Sequence, residues 1–205
     1  FLVQNYTKSE ILPKTSKSNT STSTTVDPPV ATNAPETINN QDEVSFIAVG
    51  DISFSRGVER VVKYQKDINF PFLKTKAILE NADFTYGNLE TPITPGEEIP
   101  DGSMVFRSNP GTEQALKWAG FDIVNLANNH SYNFNAQGLE DTFKYLEGAD
   151  IKYVGAGNNS EKAYEPIFFS KNNINFVMLS YEAMDIVPAE YEATPDKSGI
   201  AFMRI

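Results

Sequence analysis

From residue 44 onward, short apolar runs alternate with longer segments in which apolar residues are spaced three or four positions apart. The runs are rich in β-branched and aromatic residues, which is typical of buried strands. Leu139, Phe143 and Leu146 illustrate the longer segments, because they lie on one face of a predicted helix. Strands are predicted near residues 44–50, 82–87, 121–127 and 151–155. Strands that alternate with helices in this way predict an α/β domain with a mainly parallel sheet.

Turn and cap residues predict where the helices begin and end. One helix is expected to start near Pro71, because proline suits the first helical position. Asn109, followed by proline, predicts the N-cap of another helix, which Gly120 ends. Asn135 predicts a further N-cap, and Gly148 predicts the end of that helix.

The last part of the chain departs from this alternation. Apolar runs over 166–169 and 174–180 flank Asn172-Asn173, a pair typical of a tight hairpin turn. This hairpin predicts an antiparallel addition to the parallel sheet. Residues 182–205 predict mostly loop.

Residues 1–43 have a different composition, rich in Ser, Thr, Asn and Pro. Such a segment buries too little apolar surface to offset its chain entropy, so it predicts a disordered linker ahead of a folded domain over 44–205. The chain begins at Phe1 rather than at methionine. Two interpretations stay open, the stub of a removed signal or membrane anchor and an arbitrary boundary.

Composition narrows the classes of function. The 205 residues carry a formal net charge of −10, which argues against nucleic acid or an anionic membrane surface as a partner. The absence of cysteine excludes disulfides, zinc-thiolate sites and cysteine nucleophiles.

Three predicted strands end in residues suited to binding a metal ion. They are followed by Gly50-Asp51, by Gly87-Asn88-Leu89-Glu90 and by Asn128-Asn129-His130. Each group alone also fits an ordinary turn, cap or solvated strand end, and the lone histidine fits a buried structural role. However, parallel strands bring their carboxyl ends to one edge of the sheet. Because hard carboxylate and amide oxygens and an imidazole suit divalent cations, the joint pattern predicts one shared metal site.

Two other patterns are weaker. Gly155-Ala156-Gly157 resembles a dinucleotide-binding turn, but it follows the fourth strand and Ser160 stands where a third glycine belongs. Ser53, Ser131 and Ser180 are candidate nucleophiles, but the chain has no Gly-x-Ser-x-Gly elbow.

In these motifs the sequence resembles the CapA family of bacterial capsule and poly-γ-glutamate synthesis proteins, whose fold is similar to that of calcineurin-like metallophosphoesterases. The resemblance extends from about Phe46 to Ser180. It includes Val49-Gly50-Asp51-Ile52, Gly87-Asn88-Leu89-Glu90-Thr91-Pro92-Ile93, Ala119-Gly120-Phe121-Asp122, Asn125-Leu126-Ala127-Asn128-Asn129-His130-Ser131, Gly138-Leu139-Glu140-Asp141-Thr142 and Tyr153-Val154-Gly155-Ala156-Gly157.

The resemblance implies a role for each candidate residue. Asp51, Glu90 and Asn129 would be metal ligands, and His130 would be the catalytic imidazole near the scissile phosphate. Asn88 falls where phosphoesterases have a bridging aspartate, so Asn88 and Glu90 compete for that position. The implied cofactors are divalent ions, namely Mn, Fe or Zn.

The sequence also departs from the family pattern. Ser53 stands where phosphoesterases place a ligand histidine, and Asn133 stands where the family commonly has aspartate, so Asn133 receives no role. The C-terminal part of the family, with its His-Trp-Gly and Gly-His-x-His segments, has no counterpart here. Two interpretations follow, a fragment of a longer protein or a domain that has lost metal binding. We expect a metallophosphoesterase-like sheet with flanking helices that is truncated at the C-terminus, with little or no turnover.

The resemblance implies a metal-dependent phosphoesterase-like domain acting in capsule or poly-γ-glutamate production, on a phosphorylated or polymeric substrate. It further implies an N-terminal tether at the extracytoplasmic face of the bacterial membrane, beside membrane-bound synthase subunits. The alternative is a non-catalytic accessory or binding subunit of a capsule polymer synthase or exporter. A plain sugar- or peptide-binding domain is a third interpretation.

Overall fold

The computed structural model describes residues 43–100, 102–184 and 187–204. The linker predicted over 1–43 therefore lies outside the described residues except for Glu43. The described helices are α1 (Arg56–Gln65), α2 (Lys76–Leu79), α3 (Thr112–Ala119), α4 (Asn135–Gly148) and α5 (Ser160–Ala163), with short 3-10 turns at Phe70–Phe72 and Ala189–Tyr191. In this part of the chain no helix has both the length and the apolar character that crossing a bilayer requires.

The central sheet contains four parallel strands in the order in which they occur along the chain. They are β1 (Phe46–Ile52), β2 (Phe84–Leu89), β3 (Ile123–Asn125) and β4 (Lys152–Val154). Helical segments connect each strand to the next, as parallel pairing requires. The predicted α/β class with a mainly parallel sheet is confirmed.

Two of the predicted helix starts were wrong. Pro71 lies in a single 3-10 turn, and the following helix begins only at Lys76. The helix after Asn109 begins at Thr112, because Gly111 adopts a φ of 101° and serves as the N-cap. The Asn109 side chain contacts Arg107 and Glu59 instead of capping the helix.

The other predicted helix boundaries agree more closely with the structure. Gly120 ends α3 with a φ of 98°, a left-handed conformation that glycine adopts without strain. Helix α4 begins at Asn135 and ends at Gly148. However, Phe134 is the N-cap residue and Asn135 has a φ of 56°, so the predicted asparagine cap was misplaced by one residue.

The hydrophobic core lies between the sheet and helices α3 and α4. The apolar residues predicted on α4 face this core, and two of them, Leu139 and Leu146, are fully buried. The Phe143 ring stacks on Tyr153 of β4 at a centroid distance of 4.8 Å. These contacts hold α4 against the fourth strand, so the helical periodicity correctly predicted the buried face.

The hairpin predicted after β4 is present, but it forms a two-stranded sheet of its own and is not an addition to the parallel sheet, as had been predicted. Its strands pair antiparallel, and Asn172 and Asn173 have φ angles of 47° and 62°, as the tight turn requires. It is formed by β6 (Ile167–Lys171) and β7 (Ile174–Met178), and the remaining short strands are β5 (Ala156–Gly157), β8 (Glu182–Ala183), β9 (Gly199–Ile200) and β10 (Phe202–Met203).

The prediction that residues 182–205 are mostly loop was partly wrong. Strand β9 pairs with β5, and β10 pairs with β8. Ile200 and Phe202 are buried in the main core. Two-residue strands are too short to produce an alternating pattern, so no local pattern predicted their pairing.

Candidate functional site

The carboxyl ends of the first three strands lie side by side, as the strand-end pattern predicted. Asp51 of β1 is in register with Asn88 of β2, and Asn88 is in register with Asn125 of β3. The backbone N–H of Glu90 continues this pairing by donating to the Ile52 carbonyl at 3.0 Å. The sheet therefore brings an aspartate, a glutamate and several amides to one edge.

Asn88 links the carboxylate of Asp51 to two buried amides. Its Nδ2 donates to Asp51 Oδ1 at 2.7 Å. Its Oδ1 accepts from Asn125 Nδ2 at 2.7 Å and from Asn128 Nδ2 at 3.0 Å. Because the Asn88 oxygen is engaged within the protein, these bonds favour Asn88 as the residue that positions Asp51. Since the Asn88 oxygen is already hydrogen-bonded, Glu90 is the better of the two candidates for the position of the bridging aspartate.

Glu90 lies close enough to Asp51 and His130 to interact with both electrostatically. Partial burial and the nearby Asp51 carboxylate raise the pKa of Glu90 above its usual range, while the His130 imidazole opposes that increase. Two carboxylates in a partly buried setting repel each other when both are ionised. A divalent cation between them would relieve this repulsion, so the electrostatics suit cation binding.

The turn after β3 is fixed by the buried side chain of Asn128. Its Nδ2 donates to the Leu89 carbonyl at 2.9 Å. Its Oδ1 accepts from the backbone N–H groups of His130 and Ser131, at 3.0 and 2.9 Å. Side-chain amides that bond to the backbone a few residues further on stabilise such turns. Half-buried Asn129 lies within this turn, beside the imidazole.

His130 is 8% exposed, and its ring has a defined hydrogen-bonding state. Its Nδ1 lies 2.9 Å from Asn133 Oδ1, which also accepts the backbone N–H of Phe106 at 2.8 Å. The Asn133 oxygen cannot donate a hydrogen bond, so it accepts both from the Phe106 N–H and from the imidazole. Nδ1 therefore carries a proton. In the neutral ring Nε2 is then left with a lone pair.

Sequence reasoning missed two residues around the imidazole. Asn133, to which no role was given, orients the His130 ring. The Phe106 ring packs on the imidazole with 3.9 Å between centroids and 35° between planes. The spacing of three residues between His130 and Asn133 was visible in the sequence, whereas nothing local predicted the contact with Phe106.

The donor set accounts for only part of a metal centre. Across the described ranges, no three His, Asp or Glu side chains are grouped closely enough to hold a metal ion. The edge offers two carboxylates, one imidazole and the Asn129 amide, which are chemically suited to a divalent cation. The prediction of Asp51, Glu90, Asn129 and Asn88 as metal ligands stays a prediction.

The glycine pair after β4 has a structural use. A β-carbon at Gly155, where φ is 86°, would lie 2.6 Å from the Ala127 side chain. A β-carbon at Gly157 would lie 2.4 Å from the backbone nitrogen of Ala163. These glycines permit close packing of the backbone.

The candidate serine nucleophiles are also engaged structurally or lack a base. Ser180 Oγ donates to Asn125 Oδ1, and Ser53 Oγ accepts from the Ser55 N–H at 3.4 Å. Ser131 Oγ is buried without a hydrogen-bond partner. A serine nucleophile needs an adjacent base within hydrogen-bond reach. None of the three forms such a pair among the described residues.

A family profile described as "Bacterial capsule synthesis protein PGA_cap" matches residues 45–202 of this chain. The capsule biosynthesis protein CapA of Bacillus anthracis is 30% identical over 171 residues, which are 81% of this chain and 41% of that protein. The PGA biosynthesis protein CapA of Bacillus subtilis is 31% identical over 136 residues, which are 65% of this chain and 36% of that protein.

A third relative comes from Mycobacterium tuberculosis and is named "Probable polyglutamine synthesis accessory protein". It is 28% identical over 200 residues, which are 80% of this chain and 53% of that protein. The matched regions thus span only 36% to 53% of the lengths of these three relatives. The match to the family profile includes all the strand-end residues described above.

Proposed function

Because this chain belongs to the PGA_cap family of bacterial capsule synthesis proteins, we propose that its sheet edge is part of a metal-dependent phosphoesterase-type centre. The observation that supports the proposal is that Asp51, Glu90 and His130 lie at or just beyond the carboxyl ends of three adjacent parallel strands, with Asp51 and His130 near enough to act electrostatically on Glu90. The proposed substrate is a phosphate ester of a capsule or poly-γ-glutamate precursor.

The described residues have separate parts in this proposal. Asp51 and Glu90 supply carboxylate oxygens to a divalent cation, with Asn129 as a further oxygen ligand. The cation, when bound, polarises the phosphate ester. The relatives are about two to three times as long as the matched regions, so we assign the remaining ligands of a dinuclear centre to the part of such longer proteins that the match does not cover.

His130 is proposed to act on the phosphate oxygens. In the neutral ring Nε2 accepts a hydrogen bond, because Nδ1 donates to Asn133. In the imidazolium form Nε2 becomes a donor, which suits it to stabilise developing charge or to protonate a leaving oxygen. Asn133 Oδ1 accepts from Nδ1 in both forms, so the ring keeps its orientation through a proton transfer.

The direct test is metal binding by the 205-residue chain. We expect Mn²⁺ to broaden the ring signals of the single histidine in NMR spectra, and Asp51→Asn or Glu90→Gln to weaken this effect at least tenfold in concentration. The matched controls are Asp196→Asn and Glu161→Gln, which remove exposed carboxylates elsewhere. Mn²⁺ broadening that is unchanged in the Asp51 and Glu90 variants contradicts the proposal.

Turnover is a separate expectation. With only part of a ligand set, the 205-residue chain should show little or no phosphatase activity toward a simple phosphomonoester. Robust metal-dependent hydrolysis by this chain would show that the residues described here suffice for catalysis and would overturn the partial-site interpretation.

A second candidate function is a non-catalytic accessory subunit of a capsule polymer synthase or exporter at the outer face of the membrane. The incomplete donor set favours it. A longer form of the protein distinguishes the two functions. Stoichiometric Mn, Fe or Zn that is lost in Asp51→Ala supports the enzyme. Absence of metal, together with intact binding to a synthase subunit, supports the accessory role.

A further inference from the structure

Arg56, the first residue of α1, has an unusual backbone conformation. Its φ is 53°, in the left-handed region that side chains with a β-carbon rarely adopt. At the other end of the same helix Lys66 also has a φ of 53°, but there it forms an ordinary left-handed C-cap. Asn135 at the start of α4 has a similar φ of 56°, but asparagine adopts this region more readily than arginine does. Strained residues of this kind concentrate at ligand sites.

Part of the Arg56 guanidinium is buried without a hydrogen-bond partner among the residues that the structure describes. Its Nε and Nη2 atoms are both buried and unpartnered. Its Cζ lies 4.4 Å from the centre of the Phe106 ring, which provides a cation–π contact and no acceptor oxygen. Buried polar groups in native proteins are almost always hydrogen-bonded, so two unpartnered donors on one side chain indicate a missing acceptor.

The position of this guanidinium ties it to the site. The Phe106 ring that contacts the Arg56 guanidinium also packs on the His130 imidazole, with 3.9 Å between the ring centroids. One aromatic ring therefore contacts both the Arg56 guanidinium and the His130 imidazole. Arg56 also lies four residues after the end of β1, so α1 begins at the carboxyl edge of the sheet, where Asp51 lies.

A guanidinium has a planar set of N–H donors that matches two oxygens of a phosphate or carboxylate. We propose that Arg56 binds an oxyanion of the ligand at this site and holds it beside His130. The inference rests on the proposed function for the location of the site, and it adds the residue that recognises the anionic group. Arg56 is thus assigned to substrate binding.

The test uses NMR of the arginine Nε–H groups in the 205-residue chain without added metal. The chain has four arginines, and Arg56→Lys identifies the Arg56 signal by removing it. The probes are inorganic phosphate and γ-glutamylglutamate, which distinguish a phosphate ligand from a carboxylate ligand. We expect at least one probe to shift the Arg56 signal saturably and downfield, because Nε gains its first acceptor.

Variants then measure the contribution of the side chain. Arg56→Lys should weaken binding of the effective probe about tenfold, because lysine keeps the charge but loses the paired N–H geometry. Arg56→Gln should abolish binding, because it removes the charge as well. Arg60→Gln is the matched control, since exposed Arg60 lies on the same helix and the change in charge is identical. Backbone NMR spectra of each variant establish that it folds.

Two outcomes overturn the inference, namely no saturable Arg56 shift with either probe and equal probe affinity in Arg56→Gln. Because metal is absent, these results are separable from the Mn²⁺ test. If the chain binds an oxyanion probe but Mn²⁺ does not bind at Asp51 and Glu90, the metal proposal fails and the oxyanion site stands. If Mn²⁺ binds there but neither probe binds at Arg56, only the oxyanion site fails.

Discussion

Arg107 and Arg56 both have guanidinium atoms buried from solvent, but their hydrogen bonding differs. Arg107 is fully buried, and its Nη1 donates to the Thr94 carbonyl at 2.8 Å and to Asn109 Oδ1 at 2.6 Å. Its Nη2 donates to the Glu97 carbonyl, and only Nε has no partner. Within the described part of the chain, Arg56 Nε and Nη2 have no hydrogen-bond partner. The comparison separates an arginine whose hydrogen bonds stabilise the fold from one whose buried donors have no acceptor among the described residues.

The largest expected effect tests that difference directly. Arg107→Met should lower the free energy of unfolding by about 4 kcal/mol, because three acceptors lose a charged donor inside the protein. Arg56→Met should change it by less than about 1 kcal/mol, since it removes only a cation–π contact and relieves a desolvation cost. Urea denaturation of both variants measures this. Similar losses at the two positions would break the comparison.

Asn128 extends the comparison to a neutral side chain. Asn128→Ala should cost about 3 kcal/mol, because its amide makes four hydrogen bonds and two backbone N–H groups lose their acceptor. Asn158→Ala, at an exposed position, should change stability by less than about 0.5 kcal/mol. Thermal or urea unfolding of the pair measures the difference, and a loss below 1 kcal/mol at Asn128 would contradict the assigned role.

Asn133 tests whether a hydrogen-bonded side chain also fixes the tautomer of the His130 imidazole. Asn133→Ala should cost about 1.5 kcal/mol, because the His130 Nδ1–H and the Phe106 N–H both lose their acceptor. The ¹⁵N signals of the only histidine should also move toward a mixture of tautomers. Asn133→Asp keeps an acceptor oxygen and should preserve the tautomer. Unchanged ring signals in the alanine variant would show that another group fixes the ring.

Glu90 gives the smallest expected effect. The pKa of Glu90 is raised in the folded state, so folding favours the protonated carboxyl. At pH values above the folded pKa the carboxylate is ionised, and this charge lowers the stability of the folded protein. Glu90→Gln should therefore increase stability at pH 7 by about 0.5 kcal/mol, a small value because solvent screens a half-exposed group. The gain should vanish as the pH falls below the unfolded pKa. A gain that persists at low pH would point to a cause other than charge.

The edge that gathers the site was predictable from sequence, whereas the environment of the imidazole was not. Asp51, Glu90 and His130 each follow an apolar run, and the rule that parallel strands end together was enough to associate them. Arg56 and Phe106 reach the site through a left-handed helix start and an irregular loop. Both contacts of Phe106 join segments that are far apart along the chain, which local patterns do not encode.

The same distinction applies to the end of the described chain. The hairpin around Asn172-Asn173 was predictable because its turn residues and flanking runs are adjacent in sequence. Strands β9 and β10 were missed, since each has two residues and pairs with a partner that is distant along the chain. Burial of Ile200 and Phe202 follows from that distant pairing.

The strand order of the central sheet has a consequence for how the protein is synthesised. Because the spatial order is the chain order, every new strand that leaves the ribosome finds its neighbour already made. The sheet can grow in one direction without waiting for a later segment to insert. Asp51 is delivered first, Asn88 and Glu90 next, and His130 last, so the imidazole arrives on an edge that the earlier strands have already shaped.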